Sequence, residues 1–418
     1  MTMMRKIENL TGAEEAILAA AAESGAGSEL HVKASQALRE HGLPTRRVEA
    51  WHYTDLRARL KEFPTLASEP DPSAGTDWLS GYKALGPAIR LPVLNGYFLG
   101  EKADDLPDGL SVEAYAGAGF RDATDSVALL QTLLGQHGMK VEIADGAVIE
   151  KAIGMPHGLT GEVAASCRHK VTVGKGARAS FVQRHVGRDG VASQSVTVTD
   201  LEVGDNAEAV WILMQQEGDA ATHLAQLNVT LGEGSKLTIL ALNAGGALVR
   251  REINVVSKGE GSDLTIRGVN LIGGEAHIDV TTSLVHEVPN TVSMETFRNV
   301  VFDRGRGVFQ GDIRVAQIAQ KTDARMACNT LLLSDEAEFS AKPELEIFAD
   351  DVQCAHGATV ADIDPNHLFY LRARGIPEKE ARAMLVLAFV EESFDEVEDE
   401  TLRGGLNGVI EQWLEAHG

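Results

Sequence analysis

The stretches EVAASCRHKVTV (Glu162–Val173), ARASFVQRHV (Ala177–Val186), SQSVTVTDLEV (Ser193–Val203) and AEAVWILMQQ (Ala207–Gln216) decide the fold. They are rich in Val, Thr, Ile and Leu, and several alternate with period two, which is the signature of β-strands. AQLNVTL (Ala225–Leu231) and KLTILALN (Lys236–Asn243) continue the series. Turn clusters punctuate it: VGKGA at Val173, VGDNA at Val203, LGEGS at Leu231 and KGEGS at Lys258, about 27–30 residues apart. A fixed period with a turn and two short strands predicts a β-solenoid, in which each coil buries its inner face by stacking on the next. A β-sandwich with similar turns is the alternative. The count breaks between Ser262 and Arg304, and LSDEAEF at Leu333 reads as a later echo with Ser-Asp in place of the glycines.

Outward from this core, the chain divides into three. Residues 1–138 read as a helical and loop-rich domain, 139–362 as the solenoid, and 363–418 as a helical domain. EEAILAAAAES is Ala-rich and a strong helix former. HVKASQALREHG ends at Gly42 with Pro44 beyond, a helix stop. A loop-rich stretch over 63–110 carries the turn signals Asp71-Pro72, Gly86-Pro87 and Asn95-Gly96, and a short helix is expected near Asp125–Gln136. Toward the C-terminus, Ala381, Met384, Leu385, Ala388 and Phe389 fall at helical spacing. An acidic run from Asp395 to Glu400 leads to a last helix with Leu402, Leu406, Ile410 and Trp413.

Composition excludes several functions. The 418 residues carry 61 acidic and 38 basic side chains, a formal charge of -23 that repels nucleic acid. The three cysteines, Cys167, Cys328 and Cys354, are too few for a disulfide framework and fit a reducing cytosol. No CxxC pair writes a zinc or ferredoxin-type site. No apolar run approaches the roughly 20 residues of a membrane span, so a soluble, cytoplasmic protein is expected. No phosphate loop occurs: LGEGSKLT has the wrong Gly–Lys spacing and recurs as a repeat turn, so any ATP work must come from a partner. There is no G-x-S-x-G elbow and no H-E-x-x-H. The acid pairs Asp350-Asp351 and Asp362/Asp364 read as solvated turns sooner than as a glycosidase dyad.

The sharpest local feature is DDVQCAHGATVADID. On a strand, Cys354 and His356 point to one face about 7 Å apart. A thiolate beside an imidazole suits iron or other thiophilic metals, but two ligands do not complete a site. The other reading is a buried Cys and a structural His. Cys167-Arg-His169 has the same spacing with nothing further to support it, and Cys328 in MACNTLLLS reads as a packed thiol.

FQGDIRV, AQKTDA, LLLS, KPELEI, DDV-x-C-x-HGAT and LFYL-R-x-RGI, in this order, resemble the SufD family of iron–sulfur assembly proteins. RRVEAWHYTDL, ending at Leu56, is similar to an N-terminal signature shared by SufB and SufD. A SufB-like paralogue is the weaker match, because C-A-H-G-A-T stands where SufB-like chains carry E-H-E-A. Ala361, Met326 and Cys328 depart from residues common in the family. The resemblance implies a right-handed parallel β-helix flanked by helical domains. It implies a non-catalytic scaffold in a complex with SufB and the ATPase SufC, which docks on the C-terminal helices. It places Cys354 and His356 at a subunit interface, where iron or a transient Fe–S cluster is held, His356 being the stronger ligand. Separately, the end strands near Leu331 and from Glu344 to Val360 leave unpaired edges, which are expected to pair with SufB or, when SufB is absent, with a second copy as a homodimer. A purely structural solenoid and a β-helix carbohydrate enzyme are the alternatives from other classes.

Overall fold

The computed structural model describes residues 6–23, 27–135, 137–394 and 399–417. Its centre is a parallel β-solenoid of about eight coils. Each coil gives one strand to each of two sheets, so every strand pairs with the strand two places away in sequence. One sheet stacks Gly138–Ile143, Ala164–Val173, Gln194–Val203, Thr222–Leu231, Leu248–Ser257, His277–His286, Arg306–Val315 and Glu338–Ile347. The other stacks Ala152–Gly158, Arg178–Val186, Glu208–Gln216, Lys236–Asn243, Asp263–Ile272, Val292–Val301, Asp323–Leu332 and Gln353–Ala361. All these pairs are parallel, which excludes the antiparallel sandwich.

The Gly turns form one edge of the coil, and the edge has a physical requirement. Gly176, Asn206, Gly234 and Gly261 occupy it with φ of 63°, 56°, 60° and 72°. The same left-handed position is taken later by Asn290 and Lys321, at 60° and 64°. Backbone bonds run down this edge: Gly176 N–H to Asp205 C=O, Asn206 N–H to Glu233 C=O and Asn290 N–H to Gln320 C=O, at 2.9, 2.7 and 2.9 Å. The repeat therefore continues through 262–304, where the corner residue is Asn and the turn is spelled EVPNT. Asn tolerates this conformation because its short polar side chain bonds locally. LSDEAEF belongs to the opposite edge, joining Asp323–Leu332 to Glu338–Ile347. Its equivalents are the turns holding Gly274 and Asp303, not the VGKGA series.

The stretch over 63–110 is more ordered than its prolines and turn signals suggest. Asp71 accepts hydrogen bonds from the Ser73 and Ala74 amides and starts a helix, Pro72–Gly81, so Asp71-Pro72 is a capped helix start and not a bare turn. The strands Ala88–Arg90 and Val93–Leu94 pair with Ala152–Gly158 and close the first coil. Leu110–Tyr115 runs antiparallel to Gly138–Ile143 and closes the other sheet.

Helices cover the outer faces. We number them α1 (Gly12–Glu23), α2 (Glu29–His41), α3 (Leu56–Arg59), α4 (Pro72–Gly81), α5 (Ser126–Leu134), α6 (Pro365–Arg372), α7 (Glu378–Glu391) and α8 (Glu400–His417). Helices α1, α2 and α5 pack on Val196, Val198, Leu224 and Leu248 of the first sheet. Helices α7 and α8 pack on Val182, Ile212, Met214, Leu240, Leu242, Val269, Leu271 and Val300 of the second. With both faces of the central strands buried, WILM and similar runs lose their alternation. The RRVEAWHYTDL segment locks the N-terminal helices down: Trp51 is fully buried beneath the Arg250 guanidinium, 4.4 Å from its ring centroid. Arg250 is in turn 2.7 Å from Asp279, to which Thr54 also donates.

In α7 the buried face is Ala381, Val386 and Val390, while Met384 faces solvent. The helix is rotated from the face that Met384 and Ala388 suggested, because the sheet selects the residues it covers. Leu402, Leu406, Ile410 and Trp413 are buried as expected. The acidic run from Asp395 lies largely outside the described residues, as does Gln136. Among the described residues, no helix is long and apolar enough to cross a membrane.

Candidate metal and cluster sites

Cys354 and His356 lie on Gln353–Ala361, the last strand of the second sheet, in register with Ala324 and Met326. Their two-residue spacing does put them on one face, and that face is the inner one: Cys354 packs against the central core. No further coil stacks on this strand, so the inner face is open here and His356 is exposed. Cys354 is half-buried. Burial raises its thiol pKa; the Ala324 backbone hydrogen bond opposes this, and nearby Asp323 adds to it. It is therefore a thiol until a cation replaces its proton. Among the described residues, no cluster of three metal-capable side chains includes Cys354 or His356. In the same inward column, Met326 lies one coil below His356 and Glu295 two coils below.

Cys328 is a packed thiol, fully buried, accepting from Asn299 Nδ2 at 3.3 Å and pushed up to about 12 by burial. Asp351 forms an ion pair with Lys321, and Asp364 caps α6 through the Asn366 amide. In a groove of about 570 Å³, Asp125 and Asp200 are engaged by Arg121 and Arg168 at 3.2 and 2.7 Å. These two carboxylates are structural partners.

The structure assembles a second donor cluster at the other end of the solenoid interior. His157, Cys167 and His169 come within 4.8 Å of one another, as do His185, Glu217 and His223, and all six are buried. The ring of His157 stacks on that of His185 at 4.2 Å, so the two groups adjoin. Hydrogen bonds fix the tautomers. Met139 N–H donates to His169 Nδ1, His169 Nε2–H donates to His157 Nε2 at 2.9 Å, and His157 Nδ1–H donates to Met155 C=O at 2.8 Å. Both rings are neutral: burial lowers His157 to about 4 and holds His169 well below its ordinary value. Burial likewise pushes Cys167 up to about 12.

From this cluster one inward column runs in register along the second sheet: His157, His185, Gln215, Asn243, Asn270, Asn299, Thr330 and finally Val360. Asn243 Nδ2 donates to Asn270 Oδ1, and Asn270 Nδ2 to Asn299 Oδ1, each at 2.7 Å. Such a ladder satisfies buried amides coil by coil. Sequence reading did not find this cluster. Its members are up to 66 positions apart, from His157 to His223, and only coil register brings them together. The one available signal was the Cys167-Arg-His169 spacing.

Residues 158–389 match the family model for the SUF system FeS cluster assembly SufBD core domain. Over 379 residues the chain is 31% identical to the iron–sulfur cluster assembly protein SufD of Escherichia coli, covering 88% of each chain. The chain belongs to the SufB/SufD family. It is also similar to a SufBD family protein of Synechocystis, 25% identical over 405 residues, covering 88% of this chain and 87% of that one. The chloroplastic protein ABCI7 of Arabidopsis thaliana is 26% identical over 383 residues, covering 86% and 80%. This is thus a SUF-system iron–sulfur cluster assembly protein of SufD-like type. The SufBD core match contains Cys354, His356 and every member of the interior cluster except His157, which lies one residue before it.

Proposed function

We propose that this chain is the SufD-type scaffold subunit of a cytoplasmic complex with SufB and the ATPase SufC. In that complex His356, assisted by Cys354, holds iron or the nascent cluster as cargo where the open coil meets SufB. The observation that carries this reading is the position of both side chains on the inner face of the uncapped last coil. A neutral imidazole and a soft sulfur suit iron, and an open strand edge is a template for a partner strand. A partner chain supplies the missing ligands, since Cys354 and His356 have no third donor of their own among the described residues. The chain itself catalyses nothing; SufC hydrolyses ATP.

The SufC contact is the outward side of α6 and α7. The apolar faces of α7 and α8 are already spent on the second sheet, which leaves Phe369, Tyr370 and Met384 exposed at 73%, 56% and 46%. The test of the cargo site is complementation in a strain that depends on this pathway, with complex size checked by chromatography. His356→Ala should leave the complex assembled and block cluster formation, and Cys354→Ser should do less harm. Full activity of His356→Ala overturns the site. Loss of the complex would make His356 structural.

A further inference from the structure

A cavity of about 20 Å³ lies in the first coils, at the far end of the solenoid from His356. It has room for one water-sized occupant. His157, Cys167, His185 and Glu217 line it, together with Ser195 and Thr197. All four of the first group are at least nine-tenths buried. Glu217 Oε1 accepts from Ser195 Oγ at 2.7 Å and lies 3.0 Å from His223 Nδ1. Glu217 Oε2 is buried and makes no hydrogen bond of normal geometry, although the Gln215 side chain lies near enough to help lower this carboxyl. The nearest contact between His185 Nδ1 and this carboxylate is 3.9 Å, too long for a hydrogen bond. A carboxylate oxygen buried without a partner is an unfilled demand for a donor or a cation.

We propose that this cavity binds one divalent transition-metal ion of the zinc or ferrous class, through Cys167 Sγ, Glu217 Oε2 and the imidazoles of His157 and His185. Four donors match the usual count of a structural zinc site, and a sulfur among them selects late, thiophilic metals over magnesium or calcium. A thiolate and a carboxylate neutralise the dication, so the filled site adds no net charge to the core. The next layer is in place: Met155 C=O accepts from His157 Nδ1–H, and His223 holds Glu217 while Arg251 Nη2 stands 3.5 Å from its other nitrogen. His157 Nε2 coordinates once the His169 contact gives way. The donors come from three successive coils, so the ion staples the start of the solenoid. It is a resident ion, separate from cargo at His356.

The test uses the full chain, stripped with a chelator and titrated with Co²⁺. One equivalent should produce thiolate-to-cobalt charge-transfer absorption, and Zn²⁺ should raise the thermal midpoint. Cys167→Ser should remove the absorption, and His223→Gln should weaken binding about 10–100-fold. A double Cys354→Ser, His356→Ala chain should keep the absorption, so failure here is distinct from failure of the cargo site. Should Cys167→Ser not fold, as judged by circular dichroism, Glu217→Gln decides: at least tenfold weaker Co²⁺ binding supports the site, and unchanged binding overturns it. No charge-transfer band at one equivalent, or a band that survives Cys167→Ser, means the cavity holds only water.

Discussion

His169 Nε2 lies 2.9 Å from His157 Nε2, across the interior from one sheet to the other, and both rings are uncharged. His277 and His286 are likewise lowered to about 4 by burial, and His185 is held well below its ordinary value. The unfolded chain takes up these protons near pH 6.5, while the folded rings take them up only near pH 4 or below. Between these values the unfolded state binds more protons, so stability rises with pH and falls on acidification. Each such ring contributes up to about 3 kcal/mol of this loss by pH 4. Urea midpoints measured from pH 7.5 down to 4.5 should fall steadily below pH 6.5; a flat profile would contradict the buried neutral histidines.

Glu295 is the opposite case. Both of its carboxylate oxygens are buried without a hydrogen bond of normal geometry, and burial raises it to about 7 against a lowering contact with the Thr282 side chain. The folded state favours the protonated form, so the residue destabilises the fold as pH rises from about 4.5 through 7. Glu295→Gln should therefore stabilise the chain at pH 8 by about 3 kcal/mol and have little effect at pH 4.5. Equal midpoints for the variant and the parent at pH 8 would show that the carboxylate is satisfied.

Lys321 sits at φ 64° on the corner edge where glycine occurs in earlier coils. Lys321→Gly should stabilise the last coils by about 1 kcal/mol through relief of the left-handed backbone. The ion pair with Asp351, exposed on both sides, offsets little of this. Hydrogen exchange of the 353–361 strand is the local readout, and faster exchange in the variant would refute the argument.

Removing everything after Gly375 should not leave an intact solenoid. It strips α7 and α8 from eight apolar side chains of the second sheet. At about 1.5 kcal/mol each, this approaches 12 kcal/mol, comparable with the whole stability of a typical domain. The truncated chain should aggregate or bind a hydrophobic dye. Surface changes at Phe369 and Met384 are therefore the better probe of the SufC contact proposed above, and each to Glu should weaken it without shifting the thermal midpoint.

The free edges at Glu338–Ile347 and Gln353–Ala361 predict self-association of the isolated chain. Phe348 and Val360, exposed at 54% and 47%, flank them. Sedimentation at micromolar concentration should show a dimer, and Phe348→Lys with Val360→Lys should shift it toward monomer. A monomer before substitution would remove this part of the reading.

The solenoid was legible because VGKGA, VGDNA, LGEGS and KGEGS repeat a backbone requirement as glycine or asparagine. It became illegible where EVPNT met the same requirement with Asn290 alone. The helix face around Met384 was misjudged for another reason: periodicity identifies an apolar stripe but not which part of it a sheet covers. Cys354 and His356 could be paired from the sequence because they are neighbours on one strand. His157, His185 and Glu217 could not, because coil spacing varies by a few residues and a column of contacts has no fixed interval in sequence.

That column also turns coil number into length. Strands stack about 4.8 Å apart, so the eight coils separate His157 from Val360 by about 34 Å of rigid, in-register stacking. Insertion or deletion of one whole coil, corner to corner, would move the open end relative to the interior histidines by a single strand spacing, while every stacked contact finds an equivalent partner. Relatives whose cores differ by multiples of one coil would then hold the same open edge at graded distances from their N-terminal helices, a mechanical ruler set by counting.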